Sequence, residues 1–114
     1  VQTCALPISF LDYNKMQVSG YIKDIMAIEP VEEKWQSFGW NVVRADGHNI
    51  VSIHEGVEKA KKIENKPSMI ILDTIKGKGL SFAEDAGVLS HSMIITDEMR
   101  IKALKELGKG VHSL

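Results

Sequence analysis

The apolar residues of this chain follow two different spacings, which indicates both strands and helices. Three short apolar runs have the length of buried strands and lie near residues 9–12, 41–45 and 69–73. Residues 68–72 form an almost unbroken apolar run, which is typical of a strand covered on both faces. Between the last two runs, the apolar positions of residues 50–60 recur at helical spacing instead.

Residues with known preferences for helix ends place three helices. Pro30 is predicted as the first residue of a helix that Gly39 ends, because proline suits the first turn and glycine the C-terminal stop. Asn49 is the predicted N-cap of a second helix over residues 50–63. Thr96 is the predicted N-cap of a third helix over residues 97–107.

Strands that alternate with helices predict an α/β fold, in which a parallel sheet is flanked by helices. Residues 21–29 and 82–90 are predicted to be irregular. In open α/β sheets, ligands collect at the carboxyl ends of the strands. The polar segments that follow the predicted strands are therefore where we expect the chemistry of this chain.

The segment after the first strand offers oxygen ligands. The side-chain oxygen of Asn14 and the backbone carbonyl of Met16 could reach the same hard cation. Magnesium prefers oxygen ligands in near-octahedral geometry and usually shares them with phosphate. Aspartate, asparagine and glycine are also common turn formers, so from these residues alone a plain turn is the favoured alternative.

Two further segments carry candidate chemistry. Residues 74–79 form a basic, glycine-rich loop, in which glycine allows close approach to a ligand and lysine supplies charge for phosphate. The spacing differs from that of a Walker loop, and a solvated surface loop is the alternative. His48 follows the second strand and could be a ligand or a base, although a structural or solvated role is favoured for a turn histidine.

Composition narrows the class of protein. The 114 residues suffice for one small domain, and 44% hydrophobic with 25% charged residues is ordinary for a globular protein. A formal net charge of −1 without a basic block does not indicate a nucleic-acid surface. No apolar run is long enough to span a membrane, and one cysteine, Cys4, cannot form an internal disulfide, which fits a reducing cytosol.

Several motifs together resemble the transketolases. Residues 12–20, Asp-Tyr-Asn-Lys-Met-Gln-Val-Ser-Gly, are similar to the second half of the thiamine diphosphate motif of that family. Further matches follow in family order at residues 38–40, 46–48, 66–68, 74–79 and 103–107. The resemblance is closest to the N-terminal subunit of split, two-chain transketolases, and it implies part of a thiamine diphosphate-binding fold.

The resemblance also implies roles for particular residues. Asn14 would bind the metal and touch the diphosphate of the cofactor, and Met16 would bind the metal through its carbonyl; the ion would be Mg²⁺, or Ca²⁺ or Mn²⁺. Val18 would lie against the apolar part of the cofactor, with core packing as the equal alternative, and Lys76 would lie near its phosphates. His91 would meet cofactor and substrate as the catalytic residue, although the family usually has glycine where this chain has Ser92.

The implied activity is the transfer of two-carbon ketol units between sugar phosphates, in a cytoplasmic enzyme of the pentose phosphate pathway. The glutamate that activates the cofactor in this family lies on another domain or chain, so this chain would hold half a site. The implied partner is a C-terminal transketolase subunit or domain, within a dimer or other homo- or hetero-oligomer. Two alternatives stay open: another thiamine enzyme, namely a deoxyxylulose-phosphate synthase or the first component of a dehydrogenase, and a non-catalytic α/β binding module.

Residues 1–8 are unlike the strand that the family has at this position. They can be back-translated into the end of a common sequencing-library adapter, and we interpret them as read-through that is not gene product. Residues 9–114 would then be the C-terminal part of the thiamine diphosphate-binding domain. A Gly-Asp-Gly half-motif is expected upstream of them.

Overall fold

The computed structural model describes residues 6–108, and its main sheet has three strands. These are β1 (Ile8–Tyr13), β4 (Asn41–Asp46) and β5 (Ser68–Asp73), in the order β1-β5-β4. Both pairings are parallel, as the sequence predicts. A separate antiparallel pair, β2 (Met16–Gln17) and β3 (Gly20–Tyr21), follows β1 directly.

The central strand β5 is buried on both faces, which explains its continuous apolar sequence. Ser68, Met69, Ile70 and Ile71 are all 4% exposed or less. Alternate side chains of a strand point to opposite faces, so the two isoleucines enter different layers of the core. Ile71 belongs to one buried cluster with Tyr13 and Val31, and Ile70 belongs to a second cluster on the other face.

One helix covers each face of the sheet. Helix α2 (Val31–Ser37) contributes Val31 and Trp35 to the first cluster. Helix α3 (Ile50–Lys61) contributes Ala60 and Val57 to the second cluster. Because α3 presents the small residues Gly56 and Ala60 to the sheet, it can lie close to Val43 and Ile70. The predicted α/β fold, a parallel sheet flanked by helices, is confirmed.

The predicted helix ends agree with the structure at two of three positions. Asn49 caps α3, because its side-chain oxygen accepts hydrogen bonds from the N–H groups of Val51 and Ser52 at 2.9 and 3.2 Å. Thr96 caps α5 (Asp97–Glu106) by accepting from Met99 N–H at 3.3 Å. Pro30 is the N-cap of α2 and not its first residue, since its backbone is still extended.

Two segments predicted to be irregular contain helices. Residues 21–29 include the one-turn helix α1 (Ile22–Ile25). Residues 82–90 lie within α4 (Ser81–Ala86) and a 3-10 helix (Gly87–Ser92). The prediction was wrong for the second segment because a distant residue stabilises α4. The carboxylate of Glu106 accepts hydrogen bonds from the N–H and the hydroxyl of Ser81 at 2.7 and 2.6 Å.

The first strand begins inside the segment that the sequence analysis sets apart. Ile8 pairs with Ser68, and the carbonyl of Pro7 accepts a hydrogen bond from Ser68 N–H at 2.9 Å. Proline lacks only the donor, so its carbonyl can still serve the sheet. Residues 1–5 lie outside the described residues, and an adapter origin for residues 1–8 stays a prediction that resequencing of the gene tests.

Candidate functional site

The three parallel strands end level with one another, which gathers three polar segments at one edge of the sheet. Tyr13 and Asp46, the last residues of β1 and β4, both pair with Asp73, the last residue of β5. The segments that begin at Asn14, Gly47 and Thr74 therefore leave the sheet side by side. This is the edge where ligands of open α/β sheets collect.

A cleft of about 300 Å³ opens at this edge. It is lined by Asn14, Met16, Gln17, Val18, Lys76 and His91. All five residues that the resemblance singles out thus face one cavity, although they come from segments as far apart as residues 14 and 91. Gln17 is the additional lining residue, which the sequence analysis missed because the two-residue strand β2 leaves no periodic signal.

Asn14 and Met16 are joined by a tight turn. The side-chain oxygen of Asn14 accepts a hydrogen bond from Met16 N–H at 2.9 Å, while Lys15 between them has a positive φ of 62°. The turn predicted as the alternative for this segment is therefore present. An amide oxygen has two lone pairs, so this contact leaves one lone pair of Asn14 for another partner.

Val18 is 67% exposed, in the two-residue connection between β2 and β3. The alternative that this side chain only fills the core of the chain is therefore wrong. An exposed valine on the wall of a cleft can cover an apolar part of a bound molecule.

The basic loop of residues 74–79 is held at both ends. The Thr74 hydroxyl bonds to the Asp12 carboxylate, and Gly79 N–H donates to Glu84 Oε1 at 2.9 Å. Gly77 has a φ of +77°, and a Cβ there would lie 2.7 Å from that of Ala83, so this position requires glycine.

The two lysines of this loop differ in their surroundings. Lys78 Nζ lies 3.7 Å from the Glu84 carboxylate. Lys76 is half-buried and lines the cleft. Lys76 is therefore the lysine of this loop that is placed to meet an anion in the cleft.

His48 has a structural contact and does not line the cleft. Its Nε2 accepts a hydrogen bond from Ile75 N–H at 2.7 Å, and its own N–H donates to Asp46 Oδ1 at 2.9 Å. The favoured interpretation of this turn histidine as structural therefore agrees with the geometry.

His91 reaches the cleft from the 3-10 helix at residues 87–92. Its side chain is exposed, so it can exchange protons with a bound molecule or with water. Leu89 and Ile94 on either side of it are 79% and 87% exposed.

A polar network lies beneath the turn at Asn14. The hydroxyl of buried Tyr13 donates to the Glu29 carboxylate, and the Arg44 guanidinium lies 5.5 Å from the Tyr13 ring centre. Burial, together with the hydrogen bond to Glu29, raises the pKa of Tyr13 to about 12. The same hydrogen bond lowers the pKa of Glu29, so the neutral phenol and the carboxylate hold residues 21–29 to the end of β1.

The described residues contain no group of three or more histidine, cysteine, aspartate or glutamate side chains that could hold a metal ion. A cation at Asn14 would therefore need further oxygen ligands from a bound phosphate or from another segment of protein. Magnesium commonly binds in this manner, with few protein ligands and several phosphate or water oxygens. The donor set thus fits a metal that arrives with a diphosphate.

Within residues 6–108, no helix is long and apolar enough to cross a membrane.

Comparison with known proteins identifies the class. The family model described as "Transketolase, thiamine diphosphate binding domain" matches residues 3–110. The chain therefore belongs to the transketolase family, and the residues described above are part of its thiamine diphosphate-binding domain.

Individual relatives are similar over most of the chain. The 6-deoxy-6-sulfo-D-fructose transketolase subunit SqwG of Clostridium sp. is 53% identical over 102 residues, covering 90% of this chain and 37% of the relative. One of the subunits of the apulose-4-phosphate transketolase of Actinobacillus succinogenes is 36% identical over 96 residues, covering 84% and 34%. The chain thus spans about a third of the length of these relatives.

Solved structures agree in fold. A Pichia stipitis transketolase in complex with fructose 6-phosphate superposes with a TM-score of 0.82 at 24% identity, covering 94% of this chain and 16% of that one. A Campylobacter jejuni transketolase gives a TM-score of 0.79 at 25% identity, with the same coverage of both chains.

Proposed function

We propose that this chain supplies the metal and diphosphate half of a transketolase active site. The enzyme would transfer two-carbon ketol units between sugar phosphates, with thiamine diphosphate and a divalent metal. One observation carries the proposal: the cleft at the carboxyl edge of the sheet gathers Asn14, Met16, Val18, Lys76 and His91. The names of the relatives support a transketolase over the other thiamine enzymes considered above.

The cation would bind between the turn at Asn14 and the diphosphate. The free lone pair of the Asn14 amide oxygen and the Met16 carbonyl are the two ligands that this chain would give. A neutral amide adds coordination without adding negative charge beside the diphosphate. Mg²⁺ is the proposed ion, with Ca²⁺ or Mn²⁺ as substitutes, because all three accept hard oxygen ligands.

Lys76, Val18 and His91 would complete this side of the cleft. The Lys76 ammonium would neutralise phosphate charge, and exposed Val18 would cover an apolar part of the cofactor. The bound cofactor supplies carbanion chemistry, while the protein holds and orients it. His91 would meet the substrate and move protons near neutral pH.

A partner must supply the rest of the site. We propose that it is a C-terminal transketolase subunit, which two relatives named as subunits support. Assembly into a dimer or larger oligomer, a cytoplasmic location and a role in the pentose phosphate pathway belong to the same proposal.

Titration of thiamine diphosphate and Mg²⁺ into the assembled two-subunit enzyme tests the role of Lys76. Lys76→Ala is expected to weaken cofactor binding, and the wild-type affinity is expected to fall more steeply with added salt, because salt screens the lysine–phosphate attraction. Lys66→Ala is the matched control, since Lys66 lies before β5 at the opposite end of the strand. Equal affinities for all three proteins would contradict the proposed phosphate contact.

A second donor substrate can be assayed in parallel. The 53% identity with a 6-deoxy-6-sulfo-D-fructose transketolase subunit favours this sulfonated ketose as a donor. A sulfonate at carbon 6 carries one negative charge, whereas a phosphate carries between one and two at neutral pH. Ketol transfer from the sulfonated ketose and from fructose 6-phosphate, compared as kcat/KM, decides between the two; transfer from neither would contradict both.

A further inference from the structure

The turn that follows β4 holds the first residues of the loop that follows β5. Gly47 N–H donates to the carbonyl of Asp73 at 2.9 Å, and His48 Nε2 accepts from Ile75 N–H at 2.7 Å. A Cβ at Gly47 would lie 2.4 Å from Thr74 Cγ2, so the two segments are in close contact. The path of the loop is therefore determined by a turn that lies outside the cleft.

The contact from His48 is made one residue before Lys76. Downstream of Lys76, the next side-chain contact to the loop backbone is the one from Glu84 to Gly79 N–H. In the part of the chain that the structure describes, no side chain accepts a hydrogen bond from the N–H groups of residues 76–78. His48 is thus the upstream anchor of the segment that carries Lys76 into the cleft.

We propose that His48 is a positioning residue, which fixes the backbone of Ile75 and thereby holds Lys76 at the cleft. It acts through an unprotonated Nε2, because only that form of the imidazole nitrogen accepts a hydrogen bond. His48 does not line the cleft and needs no contact with a bound molecule. The anchoring follows from the hydrogen bond alone, while its effect on thiamine diphosphate rests on the proposed function.

Three substitutions separate the hydrogen bond from the bulk of the side chain. His48→Leu fills a similar volume without an acceptor. His48→Gln keeps an amide oxygen near the position of Nε2 and should rescue the contact, whereas the shorter His48→Asn should not reach Ile75. His54→Leu is the matched control, because His54 is an exposed histidine on α3.

Hydrogen exchange measured by mass spectrometry on the assembled enzyme, without cofactor, is the first measurement. We expect faster exchange in the peptide that contains Ile75 for His48→Leu, and wild-type exchange for His48→Gln and His54→Leu. If His48→Leu does not fold, His48→Asn replaces it in the same comparison. Unchanged exchange in the folded variant that lacks the acceptor would overturn the proposal.

Cofactor titration is the second measurement. We expect the Kd for thiamine diphosphate to rise roughly three- to tenfold in His48→Leu, the range that one net hydrogen bond is worth, and to return in His48→Gln. The rate at saturating cofactor should stay near wild type, because His48 does not touch the substrate. A Kd that rises equally in His48→Leu and His48→Gln would overturn the role of the acceptor. A wild-type enzyme that binds no thiamine diphosphate would refute the proposed function, and the exchange measurement would still decide whether His48 anchors the loop.

Discussion

Arg44 binds Asp73 through two hydrogen bonds, Nε to Oδ2 at 2.6 Å and Nη2 to Oδ1 at 2.7 Å. This fork joins β4 to β5 directly beside the edge where the cleft opens. Arg44 also donates to Glu32 of α2 at 2.7 Å, so one guanidinium ties two strands and a helix together. The hydrogen bonds from Arg44 hold the pKa of Asp73 below its ordinary value.

The ion pair between Arg44 and Asp73 predicts a loss of stability in acid. Since the folded state lowers the pKa of Asp73, its contribution is present above the pKa of the unfolded chain and is lost as pH falls below about 4. Arg44→Met should lower the free energy of unfolding by about 1 kcal/mol at pH 7, a modest value because the side chains are 36% and 39% exposed.

Denaturant unfolding of the purified chain at pH 7 and pH 3 measures this effect. The difference between Arg44→Met and wild type should shrink at pH 3. Arg100→Met is the control, because its partner Asp97 is 88% exposed and 3.5 Å away. An Arg44→Met protein as stable as wild type at pH 7 would show that the network contributes nothing.

Two glycines predict opposite effects of the same substitution. A Cβ at Gly56 would lie 3.5 Å from Ile70 and 3.7 Å from Val43, which are ordinary contact distances. Gly56→Ala should therefore stabilise the protein by about 0.5–1 kcal/mol through its higher helix propensity. Gly47→Ala should destabilise it by about 1–3 kcal/mol, since its Cβ would overlap Thr74. Thermal unfolding compares the two, and a lower melting temperature for Gly56→Ala would contradict the packing described for α3.

The strands and the helix caps could be predicted because their signals are local. The apolar run of β5 and the N-cap at Asn49 need only a few neighbouring residues to be recognised. Helix α4 could not be predicted in this way, because Ser81 finds its partner 25 residues further along the chain at Glu106. The hydrogen bond from Ile75 to His48 is likewise invisible in the sequence, since it depends on two strand ends meeting at one edge.

The candidate site was predictable mainly through resemblance. Taken alone, the residues from Asn14 to Gly20 favoured a turn, and residues 74–79 favoured a surface loop. The order of the family motifs pointed to the five residues, and the topology of the sheet explains why they lie together. Gln17 escaped both routes, because its place in the cleft depends on the short pairing of β2 with β3.

His91 is predicted to serve the chemical step. His91→Ala should lower kcat by about 100-fold, a value typical of losing a general acid or base. His54→Ala, on the exposed side of α3, should keep the wild-type rate. Steady-state ketol transfer by the assembled enzyme at saturating cofactor measures both. A wild-type kcat in His91→Ala would remove this histidine from the mechanism.

The assignment of the turn at Asn14 as the metal half-site makes the most direct prediction. Asn14→Leu removes the side-chain oxygen and leaves the cation one ligand short. Asn14→Asp keeps an oxygen but adds a negative charge beside the diphosphate, so it should be the milder change. Asn65→Leu is the control, because Asn65 is an exposed asparagine in the connection between α3 and β5.

The decisive measurement is the titration of thiamine diphosphate and Mg²⁺ into the assembled two-subunit enzyme that carries Asn14→Leu. We predict that both dissociation constants rise at least about tenfold, since even the outer partners of metal ligands are worth 10- to 100-fold in affinity. The rate of ketol transfer should fall with them, while Asn65→Leu matches wild type. If Asn14→Leu retains wild-type affinity for cofactor and metal and the wild-type rate, this stretch of the chain is not the cofactor site.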